Sequence, residues 1–464
     1  MKNYLIVGLL IIVTFKSYTQ PKKRFQNRLL QIGLVPGVGT NGIHSGWFVN
    51  KYSLNIFSGF SAANRYVEIA GISNLNTQYA TGIQLAGIAN VVGSNTFLNL
   101  TIGEERAQIR EGFESNMTGI QVAGLLNLIR DNVSGIQISG GLNFVHKGTR
   151  GLQLAGLSNM VGSYNIGIQI ATLYNVAMTS SSGMQLALLS NLTNGEMQGI
   201  QISLLNKAWR INGKNSDPPS KITGWQIGLV NLASKMNGLQ VGLVNRARKM
   251  RGTQIGLINF YSTAPNKTHG KNGTPIGLLN FGSAGGHQRA YTTETFFYNF
   301  EFTTGNCYNC TNTKSGMPLT GDYLIMNQNA LIFSYNPASL RSSKDPQWAI
   351  GYGFEKVRYN KNSMSAEDPR NAKKFISYGI SFKHVSFKDA IADHLNLLTS
   401  IDLEYGRKIR NKLFTFYLYG GISANAFVSN EVSPIAPENI SYNITSAEFN
   451  YDFWPGYEVG VHLR

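Results

Sequence analysis

The chain has 464 residues, of which 50 are Gly, 42% are hydrophobic and only 14% are charged. Ordinary globular chains carry about 7% Gly and about a quarter charged residues, so this composition argues against a helical enzyme, while 11% aromatic residues exclude disorder. The 41 Lys+Arg against 24 Asp+Glu give +17, which favours acidic partners, and two Cys cannot make a disulfide-dense scaffold.

The N-terminus reads as an export signal over residues 1–19. Lys2 supplies the positive end, Tyr4 to Phe15 is an apolar run of twelve, and Ser17, Tyr18 and Thr19 precede Gln20. Such a run is too short to span a bilayer as a helix, and Lys16 leaves the cleavage point open.

Self-similarity dominates residues 29–285. Gly82-Ile83-Gln84-Leu85-Ala86-Gly87-Ile88-Ala89-Asn90 recurs with starts at Gly119, Gly135, Gly151, Gly167, Gly183 and Gly199, and the starts from Gly119 onward are 16 apart. A degenerate copy, Tyr66 to Asn74, lies one such step before Gly82. The unit then shortens at Gly224, Gly238 and Gly252, where starts are 14 apart, and a last copy at Gly273 has Pro275 in the Gln slot. Three longer gaps read as loops thrown out from single units.

Within a unit, Ile-x-Leu alternation gives the period of a short strand, with two apolar side chains on one side and Gln on the other. A second apolar pair follows, as at Leu128 and Ile129 or Phe144 and Val145. Two short strands per unit, joined by turns at the Gly and Asn slots, predict a β-solenoid with an interior of Ile, Leu, Val, Met and Ala. Gly permits close approach at a corner. The Asn column (Asn127, Asn143, Asn159, Asn175, Asn191, Asn206, Asn231, Asn245 and Asn259) is expected to hold turns in register, and the Gln column to ladder similarly. A membrane meander is excluded here, because a hairpin of two strands of ~9–11 residues does not fit into a 16-residue unit.

The opening Gln31 to Gly42, then Tyr52 to Ile56, then the serial GxQxAGLxN and GxQIGLxN units resemble a family of surface-repeat proteins found in spirochaetes and Bacteroidetes. The resemblance implies an exported surface or outer-membrane-associated protein, and carries over no catalytic or binding residue.

From residue 290 to 464 the pattern changes. Trp348, Ile350, Tyr352 and Phe354 alternate with small or charged residues, as do Ile376 to Phe382, Thr399 to Tyr405 and Tyr457 to Leu463. Runs near 293–302, 323–335, 348–359, 374–386, 396–408, 412–424, 442–450 and 455–463 give eight strands, which predict either an outer-membrane-type β-barrel or an antiparallel sheet. In a barrel this small, Lys383, Asp402, Glu404 and Glu458 are expected to pair as a plug.

Two further features bear on function. Cys307 and Cys310 have CxxC spacing, read as a small disulfide rather than a zinc site, since no second ligand pair exists. Between Lys221 and Thr293 there is no Asp or Glu, while nine Lys and Arg fall in that stretch. Lys235, Arg246, Arg248, Lys249 and Arg251 form a candidate anion-binding stripe, with Lys235 and Lys249 expected to stack on adjacent coils. The partners expected for it are outer-membrane lipid or acidic surface polysaccharide, the alternative being a solvated turn region that resists edge aggregation; no nucleic acid is expected. No nucleophile elbow, Walker loop, dinucleotide turn or HExxH occurs, so no cofactor and no catalysis are expected. The sequence therefore predicts an all-β, exported, non-enzymatic scaffold or adhesin at the outer membrane or cell surface of a Gram-negative-type bacterium. The alternative is a transport or pore component worked by the C-terminal barrel.

Overall fold

The computed structural model describes residues 25–93, 114–208, 221–261, 273–282, 285–307, 323–342, 345–360, 372–387, 395–410, 415–430, 435–437, 440–446 and 448–463. The candidate export signal lies outside the described residues. The chain is nearly all strand: a β-solenoid of about 11 turns is followed by a closed antiparallel barrel of eight strands. It forms two compact units, Met1–Ser203 and Leu204–Arg464.

In the first unit each coil from Met117 on contributes one longer and one shorter strand, such as Val133–Ser139 and Leu142–Val145, while Ser58–Ala70 and Ser73–Ala86 are longer continuous strands. Each pairs in parallel with its equivalent one coil away, so that Asn143 stands beside Asn127 and Asn159, and Gln153 beside Gln137 and Gln169. The insert between Gly82 and Gly119 leaves this register intact, because Gly82 pairs with Gly119 directly. The longer strand kinks at its glycine. Gly135 has φ +137°, and a Cβ there would meet the carbonyl oxygen of Gly119 at 2.0 Å, so only glycine fits between the stacked backbones. At the N-terminal end, Gln26–Val35 pairs in parallel with Phe48–Asn55, and the short strand Val38–Gly39 folds back onto it.

The direction of the alternation reverses the expectation of an aliphatic interior. Gln137 is fully buried, whereas Ile138 beside it is 37% exposed. The interior therefore holds the Gln and Asn columns together with an apolar strip that includes Met117, Ile129, Val133, Val145 and Val161. The Ile-x-Leu pairs face outward. The Asn residues lie inside the short strands rather than at turns, and the bends come at pairs such as Gly140 and Gly141.

In the second unit the same construction continues at the shorter period: Lys221–Ile227, Val230–Val241 and Val244–Met250 stack in parallel register. The barrel then runs through Gly285–Thr293, Tyr298–Cys307, Tyr323–Tyr335, Trp348–Asn360, Lys374–Ser386, Asn396–Arg410, Thr415–Ser429 and Asn450–Leu463. Neighbours pair antiparallel, and the last strand closes on the first through Arg289 opposite His462. Closure decides between barrel and open sheet. The membership of the eight differs from the sequence count in two places. Gly285–Thr293 is a barrel strand that the alternation missed. The run near 442–450 supplies only the short strand Tyr442–Thr445, which pairs outside the closed ring with Asn450 to Phe453.

Within this unit the barrel wall covers the last solenoid coil. The Asn280 backbone N–H donates to Thr304 Oγ1 at 2.7 Å, and the Tyr352 hydroxyl donates to the Gly277 carbonyl. Phe260, Phe281 and Phe302 run in sequence from coil to coil to barrel, with ring centroids 5.1 and 6.2 Å apart. The Leu279–Phe281 edge, an exposed template in an uncapped solenoid, is thereby packed against the barrel wall.

Candidate functional site

The Asn and Gln residues form hydrogen-bonded columns through the solenoid interior. In the first unit Asn127 Nδ2 donates to Asn143 Oδ1, Asn143 to Asn159, and Asn159 to Asn175, each at 2.9 Å, and Asn175 donates to Asn191 at 3.0 Å. Each amide also reaches a backbone carbonyl, as Asn143 does to Leu154 at 2.8 Å. The Gln column donates the other way: Gln201 to Gln185, Gln185 to Gln169, Gln169 to Gln153 and Gln153 to Gln137, all at 2.8 Å. In the second unit Asn206, Asn231 and Asn245 each donate to the next Asn at 2.9 Å, and Asn259 donates to Asn280 at 2.7 Å. These amides are buried and spent on one another, so the columns are the frame of the coil and offer nothing to a ligand.

Glu68 takes the Gln slot in an early coil, where Gln84 Nε2 donates to its Oε2 at 2.7 Å. Burial pushes its carboxyl up to about 7, against the hydrogen bonds from Gln84 and Asn76 that favour the charged form.

The outer surface of the solenoid is where recognition can happen. In the first unit, outward columns such as Ile136, Leu152 and Ile168 and, on the short strands, Leu128, Phe144 and Met160 carry no charge. Charged side chains stand at other positions, such as Arg150 and Glu196, which precede the glycine of their strands, and Lys147 in a connecting segment, whose Nζ meets Asp131 at 2.8 Å. There, burial pushes the Asp131 carboxyl up, but the hydrogen bonds from Lys147 and the Ser115 backbone, with the charges of Lys147 and Arg130, hold it lower overall.

In the second unit the predicted stripe divides. Lys235 pairs in register with Lys249, and Lys221 with Lys235, giving a lysine column on the segment that precedes each glycine. Arg246 stands elsewhere, on the short strand between Leu232 and Phe260 in the same outward column. Arg248 and Arg251 are exposed near the lysine column. Arg289, counted among the basic residues of this stretch, is not a surface charge: it is 3% exposed and points into the barrel. Cys310 and the side chain of Cys307 lie outside the described residues.

The barrel interior is filled at three levels. Near the middle, Arg289 Nη1 donates to both oxygens of Glu404 at 3.0 and 3.1 Å, and Nη2 to those of Glu355 at 2.6 and 2.7 Å. Ser377 Oγ donates to Glu404 at 2.7 Å, and Glu301 lies 4.0 Å from the guanidinium. Toward one end Tyr359, Phe375, Tyr417 and Tyr419 pack together. Toward the other, Phe296, Leu398, Phe427 and Trp454 do so, and Glu294 accepts from Trp454 Nε1 and Asn425 Nδ2, each at 2.9 Å. The plug expected from Lys383, Asp402, Glu404 and Glu458 is thus organised around Arg289, with Glu355 and Glu301. Lys383 and Glu458 are buried in the same interior, and the Lys383 ammonium sits over the Tyr291 ring at 5.9 Å. Sequence reasoning missed Arg289 because its strand, Gly-Gly-His-Gln-Arg-Ala-Tyr-Thr-Thr, lacks the aromatic alternation of the others.

No family model matches the chain, and neither the curated proteins nor the solved structures contain one detectably similar to it.

Proposed function

We propose that this protein is an exported, non-enzymatic surface protein whose barrel anchors it in an outer membrane and whose solenoid serves as a scaffold or adhesin. The carrying observation is the inversion of the barrel: Phe300, Phe333, Ile350, Phe354, Ile401 and Leu403 are exposed on its outer wall, while Arg289, Glu404 and Glu458 are buried inside. That is the dyad of a lipid-facing wall around a polar lumen. Six of the strands run 13 to 15 residues, longer than the ~9–11 a tilted membrane strand needs. The bidentate Arg289 cluster and the packed aromatic layers favour an anchor over a channel, since ion pairs and rings occupy the space that ions would cross. The lysine column supports anionic lipid or acidic polysaccharide as the surface partner.

The test is fractionation of cells expressing the full chain. Retention in the membrane after carbonate washing, with heat-modifiable migration of the detergent-extracted protein, is expected. Release by carbonate overturns the anchor, and steady conductance in planar bilayers overturns the scaffold in favour of a pore.

A further inference from the structure

The outward faces of the solenoid coils beside the barrel are more apolar than an exposed surface of this size should be. Trp225 is 51% exposed, and Leu229, Leu243, Leu257 and Ile276 stand out to a similar degree. Among the described outward positions of the arm after each glycine, the bend and the short strand, the charged side chains in residues 204–282 are Lys207 and Arg246, both in one column. The remaining segment of the coil carries the lysine column of Lys221, Lys235 and Lys249. The cross-section is therefore a wedge, with a leucine-lined ridge and a basic back.

Two observations say what covers the wedge. Through Phe260, Phe281 and Phe302 its apolar face runs without a break into the barrel's outer wall. A phase that solvates Phe300 on that wall therefore borders the coil surface as well. The basic back also has the charge that lipid phosphates select, in the arrangement of an interfacial amphipathic element: apolar face toward the acyl chains, Lys and Arg at the headgroups. Lys207 and Arg246 have stems long enough to run along the apolar column and lift their charges out. The interior permits contact with lipid, because the parallel ladders satisfy the backbone and the amide columns satisfy the buried side chains apart from Gln254 Oε1, which has Pro275 beside it in the Gln slot.

We infer that the coils of residues 221–282 lie against an anionic lipid surface, with the leucine ridge in the acyl region and Lys221, Lys235 and Lys249 at the phosphates. This rests on the barrel being a membrane anchor. The experiment reconstitutes the full chain into vesicles of phosphatidylethanolamine and phosphatidylglycerol with brominated acyl chains and measures tryptophan quenching. The contribution of Trp225 is the difference between the native chain and Trp225→Phe; that of Trp348, on the barrel wall, comes from Trp348→Phe. Both contributions should be quenched, Trp225 by roughly half, as befits shallow burial. Quenching of Trp348 with none of Trp225 overturns the wedge and leaves the anchor standing; quenching of neither removes both. Replacing Lys221, Lys235 and Lys249 together by Ser should reduce the Trp225 quenching on these vesicles, and unchanged quenching overturns the headgroup assignment.

Discussion

The solenoid and the barrel both place polar groups inside and apolar groups outside, but they satisfy their interiors by different means. In the solenoid, neutral amides repeat at one height per coil and each satisfies the next. In the barrel, one guanidinium answers two carboxylates contributed by strands far apart in sequence, at residues 355 and 404. A neutral column can be broken at one rung and remain largely intact, whereas a charge cluster fails as a unit once its centre is lost.

The most damaging test of that contrast is Arg289→Leu. Glu355 and Glu404 would be left buried without their counter-charge, a loss of about 3–5 kcal/mol. Heat-modifiable migration of the detergent-extracted protein should be abolished or shifted to a much lower temperature, and near-native behaviour would break the comparison. Next is Glu68→Gln, which replaces the carboxylate with the amide that its column uses elsewhere. Because burial holds the Glu68 carboxyl at about 7 against an ordinary value of 4.5, the folded state keeps the proton more tightly than the unfolded one. Its stability contribution is therefore complete below that ordinary value and is lost as pH rises toward 7. The variant should be more stable above this window by about 3 kcal/mol, with no difference at its acid end, as read from denaturant midpoints. A smaller loss, about 2 kcal/mol, is expected for Gln153→Leu, which strands an acceptor on Gln137 and a donor on Gln169 but fills the space. Smallest is Lys235→Ser, which relieves like-charge stacking on Lys221 and Lys249 and should stabilise by about 0.5 kcal/mol at low salt, vanishing at high salt.

The sequence made the architecture readable because period survives without knowledge of context. Coil length came from the spacing of glycines, and barrel strands from the alternation around Tyr352 or Leu403. Facing was harder. Alternation separates Gln137 from Ile138 but does not say which of them is enclosed, and transfer preference alone puts the isoleucine inside. The column reverses that choice, since a buried amide with a partner above and below loses little on leaving water, an advantage that exists only once several coils stack. Arg289 was hidden for a related reason: a charge in a basic stretch looks like surface until the strand closing the ring brings Glu355 and Glu404 around it.

The shared register of the coils also bears on how such a chain can change length. Gly135 through Arg150 form one complete step of 16 residues, and the coil before and the coil after present the same backbone pairing and the same two amides to it. Removing that step would bring Gln121 against Gln153 and Asn127 against Asn159, each finding the partner type it already has. Duplication or loss of whole units is thus nearly neutral for the two amide columns, although losing this one would take Lys147 from Asp131, whereas an insertion of one residue within a strand turns the ladder side chains beyond it to the wrong face. Span becomes a quantity that recombination can adjust in fixed increments, leaving both ends of the molecule unaltered.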